Sequence, residues 1–197
     1  MASQGPNYPG TVTTQIGPSG DNDWLTPDNI GADDGSEAQI TAATYDTNDH
    51  SYRLRARNFG FSIPDGATID GIVVEIERRA FAGSAQDQEV QLFDDAGSLV
   101  GDNKATATAW PSTAGVATYG SSSDDWNAGL TVTDLNSLTA GVALIVLATG
   151  NNTDIGVDFM RMTVHYTEAP AEDKYAGSMA PSVIGQAVRV AALIGRS

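Results

Sequence analysis

The sequence predicts an all-β fold, an antiparallel β-sandwich of jelly-roll type, and three observations carry that expectation. The composition is globular yet poor in helix-building material: of 197 residues, 41% are hydrophobic and 18% charged, with 21 glycines and only 10 lysines and arginines. Gly, Thr, Ser and Asp in such abundance favour strands and turns. Many short segments alternate apolar and polar residues with the period of a strand. Turn signals built from Gly, Asp and Ser separate them at short intervals, as in a sandwich. The length suits one sizeable core, alone or with arms.

Taken in order, residues 1–20 carry no charged side chain and are broken by three prolines and four glycines. Pro and Gly deny this stretch a helix, and its few apolar groups give it little to bury. It reads as an extended N-terminal arm, and charge begins abruptly at Asp21. The domain proper is expected over 21–167. There "EAQITAATY" is a polar strand candidate. In "SYRLRARNFGFSI", Tyr52, Leu54 and Ala56 face one way and Arg53, Arg55 and Arg57 the other. "PDGA" is a turn, since Pro64 fixes φ and Gly66 accepts a positive one. In "IDGIVVEIERRA", Ile72, Val74 and Ile76 point inward and Glu75 and Glu77 outward, so 58–80 reads as a hairpin with a charged, solvated face. Its arginines and glutamates are placed to pair across adjacent strands.

"EVQLFDD" and "GSLVG" suggest a further hairpin joined by "DDAG". "KATATAW" alternates as a strand does, and "TDLNSL" suggests a short helical turn. "GVALIVLAT" is apolar on both faces, the mark of a central strand covered on both sides. Ala143, Ile145 and Leu147 on one of its faces are expected to be buried. "IGVDFMRMTVHYT" closes the domain, with Met160, Met162, Val164 and Tyr166 on one face and Phe159, Arg161, Thr163 and His165 on the other. Beyond it, 168–197 begins as a linker, "EAPAEDK", and becomes apolar in "SVIGQAVRVAALIG". Exposed, Val183, Ile184, Val188, Val190, Leu193 and Ile194 would form a patch that soluble monomers avoid. This segment is therefore expected to dock on its own domain, a second copy or another protein.

The formal net charge of −15 opposes direct contact with nucleic acid or anionic membrane; solubility is its simplest meaning. Cysteine is absent, which removes disulfide and thiol chemistry. The first residues lack the basic and apolar regions of a signal peptide, and the longest apolar run is far too short for a bilayer. Catalysis finds little material. His50 lies in the polar turn "TNDHSY" and His165 on an outer strand face, and neither belongs to a metal or triad motif. No cofactor and no metal ligand set is expected. Oxygens do cluster in "GDNDW", "GADDGSE" and "SSSDDW", which suits a hard cation, but Asp and Asn favour such turns for local hydrogen-bonding reasons. Trp24, Trp110 and Trp126 each lie beside turn residues. Packing is the first expectation for them, and contact with a ligand such as a sugar the second.

One resemblance rests on an ordered set of short motifs. "PNYPGT", "NDWLTPDNI", "ADDGSEA", "NFGFSIPDGATIDGIVVEIER", "KATATAWP", "YGSSSDDWN", "TDLNS", "GVAL" and "VDFMRMTVHY" follow one another over residues 6–167. This order resembles a β-sandwich module of bacteriophage virion proteins, found on capsid surfaces, in fibres and in tails. The resemblance implies a non-enzymatic virion component at the particle surface, foremost a capsid decoration or cement protein. Its partners would be the major capsid protein, tail components or further copies of itself. A receptor- or glycan-binding module of a tail or fibre is the alternative. The stretch after Thr167 departs from the module, which makes it the part most particular to this chain.

Overall fold

The computed structural model describes residues 1–17, 20–41 and 45–171. They form an antiparallel β-sandwich. Its strands are β1 (Ala2–Asn7), β2 (Thr11–Gln15), β3 (Gly20–Asn22), β4 (Ala38–Thr41), β5 (His50–Ser51), β6 (Arg53–Arg57), β7 (Thr68–Ala82), β8 (Ala85–Phe93), β9 (Leu99–Val100), β10 (Gly115–Gly120), β11 (Gly141–Ala148) and β12 (Asp154–Thr167). A 3-10 turn covers Pro27–Ile30, and one short helix, α1, covers Val132–Leu135. That helix is the expected "TDLNSL" turn, started by a capping box between Thr131 and Asp134.

The five-stranded sheet runs β1-β12-β7-β10, with β4 beside β1 along the same edge of β12. In the seven-stranded sheet β11 is central. It pairs with β6 and β5 on one edge and β8 on the other, and β2, β3 and β9 lie outside these. Consecutive strands repeatedly cross from one sheet to the other, in the manner of a jelly roll. The core lies between the sheets. Ile72, Val74 and Ile76 of β7 and Met160, Met162 and Val164 of β12 meet Leu54 and Ala56 of β6 and Val142, Leu144 and Val146 of β11 there. The alternation read from the sequence is thus the inside–outside alternation of these strands. Ala143 and Ile145 are buried on the opposite face of β11, while Leu147 is half-buried. Among the described residues that outer face is covered by side chains: Arg55 lies over the ring of Phe93, 3.9 Å from its centroid.

Four expectations change. The segment 58–80 is not a hairpin, because β6 and β7 belong to different sheets. The "PDGA" turn is present, with Ala67 N–H donating to the Pro64 carbonyl at 3.2 Å and Gly66 at φ 76°, but it belongs to an arch between sheets. The arginines and glutamates therefore find other partners. Arg53 pairs with Glu89 across the width of β11, and Arg161 with Glu75 on neighbouring strands. "KATATAW" is an irregular, largely exposed run, and the backbone N–H of Lys104 donates to the Val90 carbonyl at 2.8 Å. His50 lies in β5, opposite Leu147, rather than in a turn.

The fourth change concerns residues 1–20, which do not stand apart as an arm. β1 pairs with β12 (Ala2 opposite Tyr166, Gln4 opposite Val164) and β2 pairs with β6 (Thr11 opposite Arg57, Gln15 opposite Arg53). The stretch gives one strand to each sheet. Both lie at sheet edges, where Pro and Gly are tolerated because one side of the strand has no ladder to serve. Its uncharged amides do the fastening. Gln4 exchanges two hydrogen bonds with the backbone of Ser62, at 2.7 and 2.8 Å, and Asn7 Nδ2 donates to the Phe59 carbonyl at 2.9 Å. The docking residues expected at Val183, Ile184, Val188, Val190, Leu193 and Ile194 lie outside the described residues.

Candidate functional site

Two polar constellations are built by the fold. The first lies between the sheets. Asp87 of β8 reaches the interior because β8 shifts register between its pairings with Ile145 and Val146 of β11, a β-bulge that turns Asp87 inward with Ala85. Its carboxylate accepts from the Arg78 guanidinium, from Trp110 Nε1 at 2.8 Å, from Tyr119 Oη at 2.9 Å, and from both the backbone N–H and the hydroxyl of Thr106 at 3.1 Å. Arg78 also donates to Tyr119 Oη at 2.6 Å. All four large side chains are buried. Burial, then the Asp87 charge, pushes the Tyr119 phenol well above its ordinary value, so it stays a neutral donor. The carboxylate is saturated and closed in, which is the geometry of a cross-link between sheets.

The second constellation lies on the outer face of the five-stranded sheet. β12 carries an extra residue where Val157 faces Arg78 and Phe159 faces Glu77, and that residue is Asp158. The 31–37 loop folds over it, anchored by a bridge between Gly31 and Phe159. One carboxylate oxygen from each of Asp33, Glu77 and Asp158 lies within 4.8 Å of the other two. Asp158 is only 4% exposed, and its Oδ1 accepts no hydrogen bond from any described residue. Burial raises the Asp158 carboxyl and the charges of Asp33 and Asp34 raise it further, against the Gly35 and Asp34 backbone amides, which pull it down. Glu77 is raised by burial first and then by Asp158, Asp33 and Glu37, against the charge of Arg161. The neighbouring arginines are engaged. Arg79 grips Glu37 with two hydrogen bonds at 2.7 and 2.9 Å, and Arg161 grips Glu75 at 3.0 and 3.2 Å. Gly156 makes room for the first pair, since a Cβ there would stand 2.4 Å from Glu37 Oε2.

Of these three acids, the sequence marks only Asp33, within "GADDGSE". Glu77 looks like any solvated strand residue. Asp158 carried a usable signal: strict alternation back from Met160 would set a carboxylate on the core face. The other acidic loops resolve into local turns. Asp23 Oδ1 accepts from the Trp24 amide, Asp34 from Ser36, Asp124 from Trp126 and Asp125 from Asn127.

The tryptophans are 4% (Trp24), 5% (Trp110) and 0% (Trp126) exposed. Each indole N–H is engaged internally, Trp24 with the Tyr52 carbonyl, Trp110 with Asp87 and Trp126 with the Ile72 carbonyl. Buried rings with satisfied N–H groups are core plugs, so the three do not form an open stacking platform. A small cavity of about 200 Å³ does open between the start of β7 and the 125–130 loop, lined by Thr68, Ile69, Ile72, Asp125, Gly129 and Leu130. His50 and His165 lie apart, one in each sheet.

No family model matches the chain, and no curated protein resembles it in sequence. Among solved structures, one described as "CBM4 structure and function" is similar over 64% of this chain and 80% of its own, at 10% identity and a TM-score of 0.34. A likeness of that degree carries no argument about function.

Proposed function

We propose that this chain is a non-enzymatic structural protein of a bacteriophage virion, a capsid decoration or cement protein held on its particle by the C-terminal segment. The ordered motifs over residues 6–167 support the family. One observation of the structure carries the scaffold reading: the chain's most elaborate buried polar constellation, Arg78–Asp87–Tyr119–Trp110, is closed between the sheets and fully spent on joining them. The outer faces are laced by Arg–carboxylate pairs in the same way. With a net charge of −15, the surface suits a solvent-facing shell component. The apolar residues of 183–194 then serve as the anchor, since several such side chains buried on many copies of one lattice add up to firm attachment.

The test is co-sedimentation with particles that lack the protein. The full chain is expected to bind, and a chain ending at Ala171 to bind at least tenfold more weakly with an unchanged melting curve. Equal binding by both forms overturns the role of the tail. A second reading, a receptor- or glycan-binding module, has the small cavity between β7 and the 125–130 loop in its favour. A glycan array with the full chain separates the two: saturable binding to one glycan class supports the second reading.

A further inference from the structure

We propose that Asp33, Glu77 and Asp158 bind one calcium ion, which holds the 31–37 loop down on the outer face of the five-stranded sheet. The site does not depend on the virion reading.

The first ground is geometric. The three carboxylates come from a loop, from β7 and from the bulge of β12, and only folding brings them together. Ligand oxygens about 2.3–2.6 Å from a common calcium lie no more than about 5 Å apart, and these lie within 4.8 Å. The second ground is the state of Asp158. Its side chain is sealed under the loop, and Oδ1 lacks a hydrogen-bond partner among the described residues. A carboxylate oxygen in that position calls for a proton or a cation. Neither Arg79 nor Arg161 hydrogen-bonds Asp158, because both are committed to Glu37 and Glu75 through paired hydrogen bonds.

The donor set also selects among cations. All three ligands are hard carboxylate oxygens, with no nitrogen or sulfur to favour zinc. Magnesium keeps most of its water and demands a near-octahedral shell, whereas calcium accepts an irregular set of carboxylates and carbonyls and sheds water readily. A partly exposed site on a loop of this kind belongs with modules that bind calcium at about 0.1–1 mM.

The experiment uses the full chain, stripped with a chelator and dialysed. Calcium chloride is titrated in by calorimetry, with magnesium chloride as a parallel arm, and melting curves are recorded with each ion. The expected result is one calcium per chain, a higher melting temperature with calcium, and at least tenfold weaker binding of magnesium. Asp158→Asn should abolish both the heat and the thermal shift. If that variant fails to fold, Glu77→Gln at a half-buried position serves instead and should weaken calcium at least tenfold. The proposal is overturned by a flat titration at millimolar calcium, or by a shift that survives in these variants. Equal affinity for magnesium overturns the choice of calcium.

Discussion

Asp87 and Arg78 meet in the interior of the sandwich, one from each sheet, and the carboxylate spends its remaining capacity on Trp110, Tyr119 and Thr106. Removing one partner of a buried, hydrogen-bonded pair leaves the other charged and unsolvated, which costs about 3–5 kcal/mol. Asp87→Ala is therefore expected to destabilise the chain by about that much, a large part of the ~5–15 kcal/mol that holds a typical domain together. Arg78→Met on top of Asp87→Ala should recover part of the loss, because the orphaned guanidinium is then gone. Chemical denaturation of the two variants measures both quantities, and a double mutant less stable than Asp87→Ala would refute the cross-link.

Ile76 and Glu77 are neighbours in sequence with opposite surroundings. Ile76 is fully buried between the sheets, and Glu77 lies on the outer face beside Asp33 and Asp158. Ile76→Asp places an unpaired carboxylate in the core and should cost several kcal/mol. Glu77→Lys instead sets an ammonium between two carboxylates. In chelator it is expected to melt at or above the wild-type temperature. Melting curves that fall together for both variants would show that the register of β7 is wrong.

The same cluster fixes the sign of a pH effect. Asp158 and Glu77 keep a proton to higher pH in the folded chain than in the unfolded chain. Across the window from the ordinary carboxylate range, roughly pH 4, up to their raised values, the folded state binds more protons, so stability falls as pH rises through it. Asp124 and Asp134 are lowered and pull the opposite way. The measurement is therefore a difference: in chelator, the stability of Asp158→Asn minus that of wild type should grow between acidic and neutral pH. A difference that is flat across the window rejects strain at Asp158.

Much of this architecture was legible because strands with one buried face must alternate. Leu54 and Ala56, Ile72 to Ile76 and Met160 to Tyr166 declared their core faces, and the "DDAG" hairpin closes as its turn residues require, with Asp94 N–H donating to the Ser98 carbonyl at 3.0 Å. Alternation does not say which sheet a strand joins, so β6 and β7 looked like partners although the chain crosses the sandwich between them. It also fails wherever one residue is inserted. The bulges at β8 and β12 place Asp87 and Asp158, the two most consequential acids, and neither bulge has a turn motif to announce it. "KATATAW" shows the converse: it lies beside β8 with backbone bonds at its two ends, Lys104 to Val90 and Trp110 to Ala85, yet the run between stays irregular despite its period of two.

The first seven residues offer the sharpest contrast between sequence and structure, and so a decisive test. Without charge and with Pro6 and Gly5 in the middle, they look dispensable. In the fold, β1 covers the edge of β12 from Met162 to Tyr166, and Gln4 and Asn7 tie down the backbone of the 59–62 arch. Removing Met1–Asn7 therefore uncovers a row of ladder groups and frees the arch that links the two sheets. Lost backbone hydrogen bonds at about 0.5–1.5 kcal/mol each, together with three side-chain bonds, sum to a few kcal/mol. At this chain length each kcal/mol moves the melting temperature by about 2–4 °C. The truncated chain is expected to melt roughly 5–15 °C lower than the full chain on that scale, and to aggregate more readily, because a bared edge strand is a template for pairing. Gln4→Ala alone should reproduce a minor part of the shift without the aggregation. Thermal melts followed by light scattering distinguish these outcomes. A truncated form that melts with the full chain and stays monomeric would return residues 1–7 to the status of a free arm.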